Sequence, residues 1–166
     1  TYVTLFADAQ FLLWMKNSIV ISIAVTILGV ALASTSAYAL SRYKFKGRQL
    51  GMTSLLTTQM FPATMLLLPF FIILSKLGLI NSYLGLVIIY SSTALPFCIW
   101  QMKGFYDTIP HALEESAYMD GCNHFQAFYK IVLPLSTPAL VITALFSFMA
   151  SWSEYVVAPI ILQDPE

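Results

Sequence analysis

The stretch Glu114 to Pro138, EESAYMDGCNHFQAFYKIVLPLSTP, is the longest polar interruption in an otherwise apolar chain, and its reading decides the fold. A run this polar, set between apolar segments, belongs outside a bilayer. Its local signals predict two short helices about a bend at Gly121. Pro110 suits the first turn of a helix, where its missing N–H costs nothing. Glu114 and Glu115 follow near the favourable end of the helix dipole. Leu113 and Ala117, four apart, share a face. Gly121, after Asp120, can take the left-handed conformation that a helix C-terminus often requires. Asn123 can cap a second helix, on which Phe125, Phe128 and Val132 form one apolar stripe. Pro134 should push Leu133 out of helical geometry and end that element. The result is a knob of defined shape, suited to being gripped by a partner.

The rest of the chain reads as a membrane protein. Of its 166 residues 58% are hydrophobic and only 10% are charged, where a soluble domain carries about a quarter. The expected fold class is all-α: a polytopic transmembrane helical bundle with a cytoplasmic two-helix loop over residues 104–137. Net charge is zero, so nothing points to nucleic-acid binding. Cys98, in an apolar segment, and Cys122, in the knob, are too few and too separated for a disulfide framework or metal site. They read as free thiols in a reducing compartment. His111 and His124 read as solvated surface, with no metal implied.

Four spans are expected, at about 17–40, 53–74, 83–102 and 138–157. Residues 1–16, with Asp8, Phe11, Trp14 and Lys16, suit an approach along the membrane interface. The first span has 24 uncharged positions, about 36 Å of helix, enough to cross a core of about 30 Å. Its small-residue half, Ala31 to Ala37, should pack closely on another helix. Arg42-Tyr43-Lys44-Phe45-Lys46-Gly47-Arg48 then sets four cations in seven residues. That places this loop in the cytoplasm, and it also suits contact with anionic membrane lipid.

The second span contains Pro62 and Pro69. Prolines in a membrane helix need neighbouring helices or a water-lined cavity to satisfy the freed carbonyls. With Thr57, Thr58 and Gln59 beside them, these prolines fit either a pathway-lining helix or a kinked packing helix. The third span, with Pro96, carries a polar band of Tyr90, Ser91, Ser92 and Thr93, open to the same two readings. Glu154 lies near the outer end of the fourth span, and an acid close to a span is a functional candidate. Gln59, Tyr90, Ser91, Ser92, Thr93 and Glu154 are the candidate pathway residues. Cytoplasmic segments hold Arg42, Lys44, Lys46, Arg48, Lys103 and Lys130, and outside segments hold Lys16 and Lys76, which agrees with both ends lying outside. The chain begins at Thr1 and ends on Asp164-Pro165-Glu166, so it is expected to be part of a longer protein.

Glu115-Ser116-Ala117, three residues, Gly121, nine residues, then Ile131-Val132-Leu133-Pro134 resembles the "EAA" loop of ABC-importer permeases. That pattern is E-A-A, three residues, G, nine residues, I-x-L-P, and Ser116 stands at its second position, where Ala is usual. The resemblance implies a cytoplasmic loop that plugs into a cleft on an ATP-hydrolysing subunit. Glu115, beside Glu114, would be its polar anchor. Ser116 and Ala117 would be small residues permitting close approach, and Asp120 and Gly121 the bend. Phe125 and Phe128 would be apolar contacts, and Ile131, Leu133 and Pro134 complete the motif. SAYALSRYKFKGR resembles the matching loop of sugar-importer permeases. QMFPATMLLLPFFIILSKLGLINSYLGLVIIYSS and LPFCIWQMKGFYDTIPHALEESAYMDG look like the carbohydrate-uptake, maltose-type branch.

The resemblance carries further expectations. This subunit type has six spans, so one is expected beyond each end of the four. It is a multi-pass permease of the bacterial inner membrane, not itself an enzyme and without a cofactor. Its partners would be an ATPase subunit, a second permease subunit in a hetero-dimer, an extracytoplasmic solute-binding protein and a sugar substrate. No G-x-x-x-x-G-K-[ST] loop, G-x-S-x-G elbow or H-E-x-x-H occurs in the sequence. Two other readings stand beside the sugar importer. One is an importer permease for another solute, such as a polyol phosphate or an amino acid. The other is a channel or membrane-embedded enzyme with no ATPase partner.

Overall fold

A computed structural model describes residues 9–154 and 156–162, and all its regular elements are helical. They are α1 (Ala9–Arg42), α2 (Arg48–Thr58), α3 (Ala63–Leu77), α4 (Tyr83–Thr108) and α5 (His111–Met119), then α6 (His124–Leu135), α7 (Thr137–Trp152) and α8 (Ala158–Ile161). Helices α1, α4 and α7 pack on one another as the bundle, while α2 lies on the surface with no buried residue. The sequence features at Asp8 and at Asp164–Glu166 lie outside the described residues.

The bundle is held by small residues. On α7 the buried positions are Ala139, Thr143, Ser147 and Ser151, a strict four-residue repeat. They meet the α1 face that buries Ser22, Val25, Gly29, Ala33 and Ala37. Lipid offers no hydrophobic drive for helices to associate, so close backbone approach and interhelical hydrogen bonds do the holding. Ser22 Oγ donates to Ser151 Oγ at 3.3 Å, Cys98 Sγ and Ser147 Oγ lie 3.4 Å apart, and Thr143 Oγ1 donates to Gln101 Oε1 at 3.2 Å. The approach is close at Gly29, where an added Cβ would stand 2.9 Å from Ser147 Oγ. Two apolar cores flank this seam. One, built on Tyr38, Met102, Tyr106, Phe128 and Val132, lies at the hairpin end. The other, built on Val25, Leu74, Leu86, Ile89 and Ile161, lies at the far end.

Several element boundaries differ from expectation. Among the described residues, only α1 and α4 are long and apolar enough to cross a membrane alone, and the α6–α7 pair can serve as a third span. The segment 53–74 is not one helix. Three overlapping turn bonds, from the N–H groups of Gln59, Met60 and Phe61 to Leu56, Thr57 and Thr58, close α2, and α3 restarts after Pro62. Pro62 has no N–H and holds the residue before it out of helical geometry, which is the physical cause of the break. Pro69, by contrast, stays inside α3.

Helix α7, in the segment expected as a span to about 157, ends at Trp152. There Glu154 Oε1 accepts the backbone N–H groups of Val156 (3.0 Å) and Val157 (3.3 Å), and the chain turns into α8. At the other extreme, α1 has 34 residues, about 51 Å of helix against a core of about 30 Å. The excess carries its last turns, with Tyr38 and Arg42, out to the hairpin.

Candidate functional site

The site is the hairpin of α5 and α6. Pro110 is the residue before α5, not a member of its first turn, with ψ at 132° and the helix beginning at His111. After Asp120 the chain reverses at Gly121, whose φ of 88° is left-handed. Gly121 N–H bonds to Tyr118 O at 3.0 Å and Cys122 N–H to Ala117 O at 2.9 Å, the paired bonds of a Schellman ending. Asn123 then opens α6 with a capping box. Its side chain accepts from Gln126 N at 2.8 Å, and Gln126 Oε1 accepts from Asn123 N at 3.0 Å. His124 Nδ1 shares a proton with the Tyr118 hydroxyl at 2.9 Å across the bend. Burial is the main cause of a Tyr118 pKa above its ordinary value, which keeps that hydroxyl neutral.

Two expectations fail on α6. Pro134 does not end the element, and Leu133 stays helical at φ −64°, ψ −47°. A π-helical turn over Phe128–Val132 precedes the proline and re-spaces the backbone bonds, so the helix runs on to Leu135. The bend comes at Ser136, where α6 and α7 meet at 78°. The apolar stripe also fails. Phe128 and Val132 are buried, but Phe125 is 71% exposed. The π turn shifts the phase, and Ala127 joins Phe128 and Val132 on the inner side.

The inner face of α5 is Glu114 and Ala117, and Leu113 points outward. Glu114 is held inside the protein. Its Oε2 accepts from Tyr38 OH at 2.6 Å, and its Oε1 pairs with Arg42 Nε. The side chains of Arg42 and Glu114 are 5% and 4% exposed. Arg42 Nη2 also donates to Ile109 O at 3.1 Å. Beside it, Ser41 Oγ donates to Asp107 Oδ1 at 2.6 Å, and Lys103 pairs with Asp107. Phe128 covers the cluster, with its ring centroid 4.6 Å from that of Tyr38. The sequence reading missed this network. In the sequence Arg42 reads as one cation of the basic loop, and nothing local ties it to an acid 72 positions away.

Of the expected loop residues, then, Glu114, Ala117 and Phe128 face the bundle. Glu115, Ser116, Asp120, Gly121, Phe125 and Pro134 face outward, and Ile131 and Leu133 are half-buried. The outer tip adds Met119, at 88% exposure, and Tyr129, whose ring lies 5.4 Å from that of Phe125.

The candidate pathway residues other than Ser91 are divided among three cavities. Tyr90 and Glu154 line a cavity of about 410 Å³ at the far end, together with Trp14, Asn17 and Trp152. Gln59, Ser92 and Thr93 line a separate cavity of about 570 Å³ beside the break between α2 and α3. Gln59 Nε2 donates to Thr93 O at 3.1 Å there. A smaller cavity of about 180 Å³ touches Tyr90, Thr93 and Glu154. Ser91 faces away from all three; it is buried, and its Oγ has no partner among the described residues.

The sequence profile of the family described as "Binding-protein-dependent transport system inner membrane component" matches residues 25–166. The chain belongs to that family. Similar members of the family include the maltodextrin transport system permease protein MdxG of Bacillus subtilis (strain 168), 36% identical over 98% of this chain and 58% of the relative. The galactooligosaccharides transport system permease protein GanQ of the same organism is 38% identical over 99% of this chain and 59% of its own length. Among solved structures, a bacterial ABC transporter involved in the import of the acidic polysaccharide alginate superposes with a TM-score of 0.88. It is 29% identical over 99% of this chain and 57% of that one. This chain thus spans a little under three fifths of the length of these relatives.

Proposed function

We propose that this chain is the greater part of the membrane domain of a permease subunit in an ATP-driven importer for sugars or oligosaccharides. The observation that carries the reading is the hairpin. The Schellman ending and capping box fix its shape, and it presents Glu115, Ser116, Met119 and Phe125 outward at one end of an apolar bundle. A rigid tip with two outward acids, Glu115 and Asp120, a small residue and apolar neighbours suits a cleft on a partner. The partners are an ATPase subunit that receives the tip, a second permease subunit and an extracytoplasmic solute-binding protein. The sugar assignment rests on relatives that handle maltodextrin and galactooligosaccharides.

The test is made on the full-length protein co-expressed with its ATPase subunit. A cysteine at Phe125, on the exposed tip, should cross-link to the ATPase with a yield that changes on adding ATP. Glu115→Lys should abolish uptake while leaving the protein in the membrane, since a reversed charge at the anchor opposes docking. Normal uptake by that variant, or no cross-link from Phe125, would remove the coupling role. A panel of labelled solutes settles the cargo, and uptake of a polyol phosphate or amino acid in place of sugars would replace the sugar reading alone.

A further inference from the structure

Helices α4 and α7 are joined to the hairpin by the chain itself, through Ile109-Pro110 and through Ser136, but α1 has no covalent link to it. A displacement of the hairpin therefore reaches α4 and α7 directly; it reaches α1 along its length by the packing of α1 on those two helices, and at the hairpin itself only through side chains. Those side chains are Arg42, Tyr38 and their common acceptor Glu114, at the end of an α1 long enough to overshoot the bundle. We propose that Arg42 is a positioning residue that fastens the hairpin to α1, so that α1 moves with α4 and α7 when the hairpin is displaced. This rests on the coupling role proposed above and names the joint through which it acts.

The chemistry of the joint supports this over simple packing. The apolar contact of Phe128 on Tyr38 tolerates sliding. A guanidinium bonded at once to the Glu114 carboxylate on α5 and to the Ile109 carbonyl at the end of α4 does not. Nor is stability a sufficient reason for the pair. Replacing a buried ion pair by well-packed apolar residues is often neutral or stabilising, so a retained pair fits a role in fixing register. Glu114 is also withdrawn from docking by this pairing, which leaves Glu115 and Asp120 as the tip's outward acids.

The variant that separates joining from folding is Arg42→Met with Glu114→Leu, made in the full-length protein within the assembled complex. It should insert, keep the Phe125 cross-link to the ATPase and keep ATP hydrolysis. Solute taken up per ATP hydrolysed should fall about tenfold or more, within the range that couplings between sites span. A covalent substitute should then restore it. The Tyr43 and His124 rings lie 6.3 Å apart, one just past α1 and the other on α6. Cysteines at these two positions, joined by a short bifunctional thiol reagent in a background free of other cysteines, re-fasten α1 to the hairpin.

Unchanged uptake per ATP overturns the proposal, and so does a tether that restores nothing. Loss of the Phe125 cross-link in the double variant also overturns it, because the pair would then shape the docking surface. If the double variant fails to insert, Arg42→Lys, which keeps a cation beside Glu114 but cannot bond Glu114 and Ile109 O at once, serves in its place, and unchanged uptake per ATP again overturns the proposal. Failure of the Phe125 cross-link in the parent protein instead rejects the coupling reading itself.

Discussion

Two neighbouring tyrosines carry opposite hydroxyl environments. Tyr38 and Tyr106 meet edge to face, with ring centroids 6.1 Å apart, in the core at the hairpin end. Tyr38 OH donates to the Glu114 carboxylate at 2.6 Å. Tyr106 is fully buried, and its hydroxyl has no partner among the described residues. A hydrogen bond to a charged group is worth about 1.5–3 kcal/mol, and a buried polar group without a partner costs about 1–3 kcal/mol. Tyr38→Phe should therefore lower the thermal midpoint of the detergent-purified protein. Tyr106→Phe should leave it unchanged or raise it, and Ser91→Ala, which also deletes an unpartnered buried hydroxyl, should follow Tyr106→Phe. Equal losses from both tyrosine changes would show that the hydroxyl environments do not govern stability here.

Between elements, the decisive contact is the α1–α7 seam at Gly29. An alanine there gains helix propensity of about 1 kcal/mol but sets its Cβ 2.9 Å from Ser147 Oγ, with Ser147 Cβ behind it at 3.4 Å. The two effects oppose each other, so Gly29→Ala alone is a poor reading of the contact. Adding Ser147→Ala removes the clashing oxygen and leaves the ordinary carbon contact. The double-mutant cycle should show a favourable coupling of about 1 kcal/mol between the two substitutions, measured as thermal stability. Additive effects would mean that Ser147 rotates aside freely, in spite of its 3.4 Å contact with Cys98.

The same comparison shows which parts of the fold the sequence could disclose. The stop at Gly121 and the cap at Asn123 are set by residues within four positions of each other, and both are present in the structure. Their cause is backbone chemistry that no tertiary contact has to supply. The small residues expected to pack, Ala31 to Ala37, do contribute Ala33, Ser34 and Ala37 to the buried face of α1. Prolines are less legible, since the effect of each depends on its surroundings. Pro62 breaks a helix, Pro69 and Pro96 stay inside helices, and Pro134 is accommodated by a π turn. The Arg42–Glu114 pair was illegible because each residue already had a sufficient local reading, one as a topogenic cation and the other as part of an acidic first turn. Glu154, read as an acid near a pathway, also caps a turn, a role visible only once the helix is seen to stop at Trp152.

At the scale of the whole molecule, charge and shape bear on one orientation. The basic loop, the end of α4 with Lys103, and the hairpin with Lys130 gather at one end of the bundle, where Arg42 and Lys103 are also ion-paired. The far end has the α3–α4 turn, where Asn81 N–H bonds to Ile161 O at 3.0 Å. Basic residues near the ends of spans hold a segment in the cytoplasm, so the hairpin end should face inward and the turn with Lys76 outward. Single cysteines at Lys46, Phe125 and Lys76 test this in intact cells with a membrane-impermeant thiol reagent. Lys76→Cys should react at once, and the other two only after the membrane is opened. The test is stronger than one of topology alone, because ATP is available only in the cytoplasm. Labelling of Phe125→Cys from outside would place the hairpin where no ATPase subunit could reach it, and the coupling role and the Arg42 joint would fail together. Labelling from inside would leave the tip of Glu115, Met119 and Phe125 as a rigid surface facing the one compartment that can drive it.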